Sequence, residues 1–517
     1  MSIMLHNQSL HSVTKYLRCR LRGRIAIFVL SSLLMPTALL AQTDTYYWKD
    51  NAGNGRWDWG SAQWFSQNAG TDVGSMLSTG GAIAYFENTG GTDTFINSGF
   101  SGGWFRMNSL YTAGNSTGRS YTVDTENFGT GIELYSKMET VTGGGTLTID
   151  CETQLGAGAE INAVGGTLTL GALRMNNQTL LSYGADTINI TGVITGAGTY
   201  TIKNQGLTVN YSGSSANTFS GVTTVESSST LNLGKSANIA AIGGGLVIDS
   251  GATVNTTAVN QLDDQLVTVN GTLNLNGNNQ SAALAGSGTV NLAAGTLTAT
   301  TSGSELFSGV LAGTGGLTKD GAGTLTLSGA NTYTGKTTVS GGTLALSTGV
   351  LLASGEIEVT AAGLLNVSGV SGGFSLGAGQ TLSGDGAVVG SLSMGTTSRM
   401  AFSTTSTLNI SGGTLSFASG TAGSRFGIDN LDGISGTTPE GIYTLVSGTV
   451  DTTNLDNLNA ENAYRFPNGV LAYFREGSLE VVVVPEPAVG LLAAAGLLGF
   501  GLFAWRYGSR ASQPPEA

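Results

Sequence analysis

Short runs in which threonine alternates with leucine, valine or isoleucine recur along the chain, and Gly, Ser or Asn separates them. Examples are GGGTLTID, VGGTLTLGAL, GTLNLNG, GTVNLAAGTLTAT and GGTLALS. Alternation puts every second residue on one face, as a half-buried strand requires. Helical periodicity is almost absent, and the connections are too short for crossover helices. The pattern therefore predicts an all-β fold.

Two longer segments are similar to each other. GVITGAGTYTIKNQGLTVNYSGSSANTFSGVTTV begins at Gly192, and GVLAGTGGLTKDGAGTLTLSGANTYTGKTTV begins at Gly309. Their best-matched parts are Asn217 to Gly221 and Asn331 to Gly335. Strand-turn-strand repeats without helices predict a solenoid. We expect an elongated parallel β-helix with Gly and Asn at its corners, an aliphatic stripe inside, and Thr and Ser outside.

The sequence divides into five predicted parts. Residues 1–41 form a signal peptide, and residues 42–130 form a Trp-rich cap with the first β coils. Residues 131–425 form the β-solenoid, and residues 426–484 form a closing β segment. Residues 485–510 form a C-terminal sorting signal.

Charge and cysteine content exclude several classes of protein. Only 10 % of residues are charged, and the formal net charge is −12, which disfavours nucleic acid as a partner because phosphate binding needs clustered Lys and Arg. Of the two cysteines, Cys19 lies in the predicted signal peptide and Cys151 in the solenoid. A chain that keeps one cysteine forms no disulfide framework.

The N-terminus has the pattern of a secretory signal peptide. KYLRCRLRGR supplies a positive region, and IAIFVLSSLLMPTALLA supplies an apolar region with a cleavage site after Ala41. The alternative is an uncleaved membrane anchor. We expect an exported protein.

The C-terminus predicts a membrane span. Residues 488–505 carry no charge, and as a helix they match the ~30 Å hydrocarbon core of a bilayer. Pro485 and Pro487 cannot continue this helix upstream. Arg506 and Arg510 follow it and are expected to stay cytoplasmic by the positive-inside rule.

The order of Pro-Glu-Pro, apolar span and basic tail resembles the PEP-CTERM sorting signal of Gram-negative bacteria. The matching residues are Pro485, Glu486, Pro487, Arg506 and Arg510. The resemblance implies an exosortase, a membrane protease-transpeptidase, as a partner that processes the chain near the motif. It also implies a membrane-anchored precursor that is delivered to the cell surface or to an extracellular polysaccharide matrix.

Residues 309–346, GVLAGTGGLTKDGAGTLTLSGANTYTGKTTVSGGTLAL, resemble the autotransporter-associated β-strand repeat. QTLSGDGAVVGSLSMG, from Gln380, resembles the segment that often follows such repeats. YYWKDNAGNGRWDWGSAQWF, with AYFENTGG after it, resembles the start of the same exported proteins. The resemblance implies a passenger-like β-helix on a surface protein, with no catalytic activity assigned to the repeat.

Catalytic and metal-binding patterns are scarce. Both histidines, His6 and His11, lie in the predicted signal peptide, so neither a Ser-His-Asp triad nor a His-ligated metal site is expected. Cys151 has no histidine base, and a small buried residue is the simpler interpretation. We expect no catalytic residues, no metal and no cofactor, and therefore no enzyme.

Carboxylate pairs are the remaining candidates for acid–base chemistry. Asp263 with Asp264 lies in NQLDDQL, and Asp429 with Asp432 lies in GIDNLDGIS. Both segments are typical of turns, and adjacent residues on a strand point to opposite sides, which suits a glycosidase poorly. Calcium remains open as a ligand of such oxygens, although the GGxGxD repeat of calcium-binding β-rolls is absent.

Tryptophans concentrate near the start of the predicted solenoid, among them Trp57, Trp59 and Trp64. One interpretation is an aromatic platform for stacking on sugars. The other is a hydrophobic cap that closes the first coil.

Two functions follow. The leading hypothesis is a structural or adhesive β-solenoid at the surface or in the matrix, sorted by an exosortase-like system. The alternative is a β-helical carbohydrate-binding or polysaccharide-degrading protein. Converging carboxylates beside Lys or Arg on one face would favour the enzyme.

Overall fold

The structure is a computed structural model that describes residues 131–140, 145–203, 205–347 and 353–485 in full. Before residue 131 it describes the backbone pairing of six strands: Ile25–Ser32, Gln42–Trp48, Ala82–Glu87, Thr92–Ile96, Phe105–Thr112 and Ser120–Asp124. The chain divides into two compact units at Ser354 and Gly355. Within the described ranges no helix has the length and apolar character needed to cross a bilayer, and the predicted span at residues 488–505 lies outside them.

One parallel sheet runs through the first unit. Its neighbouring strands are joined in register by parallel pairing. In spatial order they are Thr92–Ile96, Ser120–Asp124, Thr146–Ile149, Leu168–Leu170, Thr187–Ile190, Thr208–Tyr211, Thr230–Leu233, Thr253–Thr256, Thr272–Asn274, Thr289–Ala293 and Val310–Gly313.

The remaining strands of the first unit form the other walls of the coils. From Phe105–Thr112 onward they pair in parallel with the equivalent strand of a neighbouring coil. Those that follow the first six strands are Ile132–Thr140, Thr153–Leu155, Glu160–Ala163, Leu173–Arg174, Gln178–Ser182, Ile194–Thr195, Gly198–Ile202, Thr223–Val225, Leu246–Ile248, Leu266–Val269, Gln280–Gly286, Leu297–Thr300, Ser304–Phe307, Leu317–Asp320, Thr324–Leu327, Thr337–Val339 and Gly342–Ser347.

The predicted all-β parallel solenoid is thus confirmed. A representative coil runs through Thr187–Ile190, Ile194–Thr195 and Gly198–Ile202 before the chain returns to the first sheet at Thr208–Tyr211. The segment that was predicted as the apolar part of a signal peptide contains Ile25–Ser32, which pairs antiparallel with Gln42–Trp48 and Ala82–Glu87.

Aliphatic side chains at one strand position stack along the interior of the coils. In the first sheet the central buried position repeats through nine consecutive coils with no more than 1 % exposure. This column explains why the Thr-Leu alternation is so persistent, since every coil must give one aliphatic residue to the same stripe. Its members are Leu147, Leu168, Ile188, Val209, Leu231, Val254, Leu273, Val290 and Leu311.

The two similar segments fold alike at their matched residues. Asn217 Oδ1 accepts a hydrogen bond from the amide of Ile194 at 2.9 Å, and Asn331 Oδ1 accepts from the amide of Leu311 at 2.9 Å. Both asparagines are almost fully buried. Each therefore satisfies a backbone N–H inside a coil corner, where an unpaired donor would be costly.

Glycine is required where corners of neighbouring coils come close. A Cβ on Gly221 would lie 1.6 Å from the carbonyl oxygen of Gly198, and Gly198 itself has φ +150°. Asparagine takes other left-handed positions, including Asn276 at φ 52°. These corners agree with the expectation that Gly and Asn supply left-handed backbone.

Two lysines are buried in the first unit. Lys235 is 2 % exposed, and its Nζ donates to the carbonyl oxygens of Gly192 at 2.8 Å and Ser212 at 3.0 Å. Burial lowers the pKa of Lys235 to about 8. Lys319 is fully buried and donates to three backbone carbonyls, among them that of Gly341; burial lowers its pKa despite the nearby acids Asp320 and Glu305.

The second unit has parallel strand pairing of its own and ends in antiparallel strands. Gly441–Val450 pairs antiparallel with Leu479–Val484, which also pairs with Leu471–Phe474. Two 3-10 helices lie at Ile428–Asn430 and Ala460–Asn462. The other strands of this unit are Glu356–Val359, Gly363–Gly369, Phe374–Leu376, Thr381–Gly384, Ala387–Val389, Leu392–Met394, Arg399–Ala401, Leu408–Phe417, Leu431–Asp432 and Tyr464–Arg465.

Candidate functional site

An asparagine ladder follows the outward side of the first sheet. Each asparagine side chain donates Nδ2–H to the Oδ1 of the asparagine on the preceding coil, at 2.7 to 2.8 Å. The first member donates instead to Thr169 Oγ1 at 3.3 Å. We define the asparagine ladder as Asn189, Asn210, Asn232, Asn255, Asn274 and Asn291.

The ladder exists because the coils keep register while their lengths vary. Successive members are separated by 21, 22, 23, 19 and 17 residues. Backbone pairing nevertheless places each asparagine opposite the next, as for Asn210 with Asn232 and Asn232 with Asn255. Extra residues are therefore absorbed in the corners and not in the strands.

A threonine column runs beside the ladder, two residues earlier on each strand and on the same face. Its members pair in register and are half-buried. No charged residue occurs in the described strands of this sheet from Thr146–Ile149 to Val310–Gly313. The threonine column consists of Thr187, Thr208, Thr230, Thr253, Thr272 and Thr289.

A charged cluster lies elsewhere in the first unit, on its early coils. Lys137 Nζ donates to the Tyr183 hydroxyl, and lies 3.3 Å from Glu139 Oε2 and 3.6 Å from Glu160 Oε2. Asn162 Nδ2 is 3.4 Å from an oxygen of each carboxylate. This is the convergence of acids and a lysine that would favour an enzyme.

The electrostatics of that cluster keep its lysine and its tyrosine protonated. Burial alone would lower the pKa of Lys137, but the hydrogen bond to Tyr183 and the charge of Glu139 outweigh it, so the pKa lies above the ordinary value. Burial raises the pKa of Tyr183. Neither group would accept a proton from a substrate at neutral pH, since one stays an ammonium and the other a phenol.

A cavity of about 590 Å³ opens in the second unit, and its lining includes Asp429, Asp456, Asn457 and Tyr464. Asp456 Oδ2 accepts from the amides of Gly423 and Arg425 at 2.9 Å, while Asn457 Oδ1 accepts from Ile428 at 3.0 Å. These polar groups are therefore already used to hold the loops that form the cavity.

The two candidate carboxylate pairs have the following places in the structure. Asp263 and Asp264 have φ of 49° and 59°, which places them in a turn, and Asp264 Oδ1 accepts from Thr300 Oγ1 at 2.9 Å. Asp432 forms an ion pair with Arg399, whereas Asp429 lines the cavity. Among the described residues no group of three or more Cys, His, Asp or Glu could hold a metal ion.

Other residues of interest have the following places. Cys151 is 6 % exposed, as expected of a small buried residue. Pro485 directly follows Leu479–Val484. Outside the described residues lie Trp57, Trp59, Trp64, Glu486, Pro487, Arg506 and Arg510.

The corner built by Asn331 lies in the part of the chain that matches a known protein family. Residues 317–346 match the passenger-associated-transport-repeat. The repeat covers the strands from Leu317–Asp320 to Gly342–Ser347, including buried Lys319 and Asn331. This finding supports the resemblance to autotransporter-associated repeats.

A longer similarity extends beyond the repeat. The chain is 28 % identical over 356 residues to the adhesin BmaC autotransporter of Brucella suis biovar 1 (strain 1330). The matched region is 63 % of this chain but 10 % of that adhesin, so this chain spans a small fraction of its relative's length. No solved structure matches the chain.

Proposed function

We propose that this protein is an exported, surface-exposed adhesive protein whose β-solenoid resembles an autotransporter passenger domain. The observation that carries the proposal is the passenger-associated repeat at residues 317–346, set within in-register coils. The similarity to an autotransporter adhesin supports the same function.

A non-enzymatic role is part of this proposal. The charged cluster around Lys137 has its cation held between Glu139 and Glu160. Polysaccharide degradation, the alternative, needs a base that can release and accept protons near neutral pH. Incubation of the purified chain with polysaccharides, followed by reducing-end and unsaturated-uronate assays, should give no product, and any product lost with Lys137→Met would favour the enzyme.

The export route of the proposed protein uses both terminal signals. Residues 1–41 are removed during export, and residues 485–510 act as an exosortase-type sorting signal whose helix, residues 488–505, holds the precursor in the membrane. The support is the sequence order of Pro-Glu-Pro, apolar run, Arg506 and Arg510. In this scheme the strand Ile25–Ser32 belongs to the precursor alone.

Mass spectrometry of the chain's termini tests the route. Native cells and medium are compared for the wild type, for Pro485→Ala/Glu486→Ala/Pro487→Ala, and for the matched control Pro514→Ala/Pro515→Ala/Glu516→Ala. We expect a mature end near Pro487 in the wild type and the control only. A surface chain that still carries residues 506–517 would overturn the sorting proposal.

Adhesion is tested on whole cells. A deletion strain should attach less to its substratum than the wild type, and the full-length gene should restore attachment. Protease shaving of intact cells should release solenoid peptides. Equal attachment of both strains, with the protein verified at the surface, would contradict the adhesive function.

A further inference from the structure

The asparagine ladder leaves part of its hydrogen-bonding capacity unused. A side-chain amide has two N–H donors and two acceptor lone pairs. Within the ladder, Asn232 donates once to Asn210 and accepts once from Asn255. One N–H and one lone pair on each of the four inner asparagines therefore take no part in the ladder, and they recur from one rung to the next.

These unused groups form a strip of defined dimensions. Neighbouring strands in a sheet lie about 4.8 Å apart, so the ladder is about 24 Å long, and the threonine column lies about 7 Å beside it. The strip is uncharged, and its outward residues are amides and hydroxyls.

From this geometry we propose that the strip binds a neutral, linear polysaccharide in an extended conformation, lying along the coil stack with about one sugar for each coil. The inference rests on the proposed adhesive function and names its ligand class. A sugar hydroxyl both donates and accepts, so it satisfies the N–H and the lone pair that each rung offers.

Charge and shape select this ligand over others. The absence of cations on the strip disfavours uronic or sulfated glycans, because their anions would lose water without gaining an opposite charge and cannot donate to the lone pair of a rung. A second copy of the chain would need about 800 Å² of buried surface per partner and large aromatic or Arg anchors. The narrow strip of Asn and Thr offers neither, whereas a single polymer chain covers its full width.

Many weak contacts in a row give useful affinity. Each rung exchanges water hydrogen bonds for sugar hydrogen bonds, which contributes little alone. Once one sugar is held, the next rung binds it at a high effective concentration. Affinity should therefore increase steeply with the number of sugars up to the length of the ladder.

Isothermal titration of the purified full chain tests the proposal, with cellohexaose, mannohexaose, cellotriose and a galacturonic acid hexamer as probes. We expect the neutral hexamers to bind roughly tenfold or more tightly than cellotriose, and the charged hexamer not to bind. Absence of binding to both neutral hexamers, or equal binding of the charged hexamer, would overturn the proposal.

Variants locate the binding. Asn210→Val/Asn232→Val/Asn255→Val should lose at least tenfold in affinity for the neutral hexamer that the wild type binds. The matched control Thr201→Val/Thr224→Val/Thr268→Val, on outward positions of another wall, should keep it. If the ladder variant fails to fold, Thr230→Lys provides a second test, because an outward lysine covers the strip without entering the core. Unchanged affinity in a folded ladder variant would contradict the proposal.

Sedimentation velocity tests whether a second copy of the chain, and not a glycan, occupies the strip. A wild-type dimer that Thr230→Lys dissociates would assign the strip to a second copy and overturn the glycan proposal. The outcome is separate from the adhesive function: cells that adhere while the purified chain binds no neutral glycan would leave that function standing.

Discussion

The ladder face and the Lys137 cluster show two ways of stacking polar residues on a parallel solenoid. On the ladder face the same neutral residue repeats on six coils, and each amide bonds to the next. In the Lys137 cluster opposite charges meet between coils, as in the ion pair of Lys137 with Glu160 at 3.6 Å. Lys203 and Glu226 form a similar ion pair at 2.8 Å. An amide complements its own copy, but a charge repels its copy at about 4.8 Å.

The largest effect is expected when like charges are placed in the ladder. Asn210→Asp/Asn232→Asp puts two carboxylates on adjacent rungs and removes two N–H donors, one from each replaced amide. We expect a loss of about 3 kcal/mol in the free energy of unfolding at pH 7, measured by chemical denaturation.

Acid should reverse that loss. Repulsion raises the folded-state pKa of the paired carboxyls above the unfolded value of about 3.9. The folded state then binds more protons, so the destabilisation shrinks as pH falls through the folded pKa. An equal loss at pH 7 and below pH 4 would show that repulsion is not the cause.

Lys235 is a buried cation whose polar contacts are backbone carbonyls, and its titration should make the stability of the protein depend on pH. Burial lowers its pKa to about 8, below the ordinary 10.4. Between these values the unfolded state holds one proton more than the folded state, so stability should rise with pH from about 8 to about 10.4. Denaturation midpoints of the wild type and Lys235→Met across this range measure the effect.

The Lys235→Met variant is the control for other groups that titrate in the same pH range. Its stability should lack the component of the rise due to Lys235, since methionine does not titrate. Identical pH profiles for the two proteins would mean that the carbonyls of Gly192 and Ser212 keep the ammonium as stable as water does.

Removal of Lys137 tests how much its ion pairs stabilise the charged cluster. Lys137→Met leaves Glu139 and Glu160 without their ammonium partner. We expect a loss of about 1 to 2 kcal/mol, because the group is partly exposed to solvent. The conservative variant Lys137→Arg should retain most of the stability. Added salt should reduce the loss, and a salt-independent loss would indicate lost packing instead.

The smallest expected effect is a neutral replacement within the ladder. Asn232→Thr removes two amide hydrogen bonds but supplies a β-branched residue that suits a strand. We expect a loss of about 1 kcal/mol or less, seen as a small decrease in the thermal midpoint. A loss as large as that of the double aspartate variant would mean that the ladder, and not the core stripe, controls folding.

The sequence predicts the interior of this fold better than its exterior. The alternation in TLTI and TLNL places Leu147 and Leu231 inside, and the self-similar segments anticipate the equivalent corners of Asn217 and Asn331. The asparagine ladder escapes prediction because coil lengths of 17 to 23 residues hide the repeat from any fixed period. Pairing between coils also decides which acids approach Lys137.

The candidate sites depend on the same long-range pairing. Asp263 with Asp264 was recognisable as a turn from local sequence. The separation of Asp429 from Asp432, one toward a cavity and one toward Arg399, depends on a strand paired 33 residues away. Local patterns do not specify such contacts.

Uneven coil length with constant register has a consequence for how such a protein can change. Pairing between neighbouring coils depends on the strand positions and hardly on the number of residues in the corners. Whole coils are then interchangeable modules: duplication or deletion of one, cut at a corner, would lengthen or shorten the ladder by one rung while the rest keeps its pairing. The number of rungs in the ladder would therefore follow the number of coils, and recombination between similar coils would change it one rung at a time.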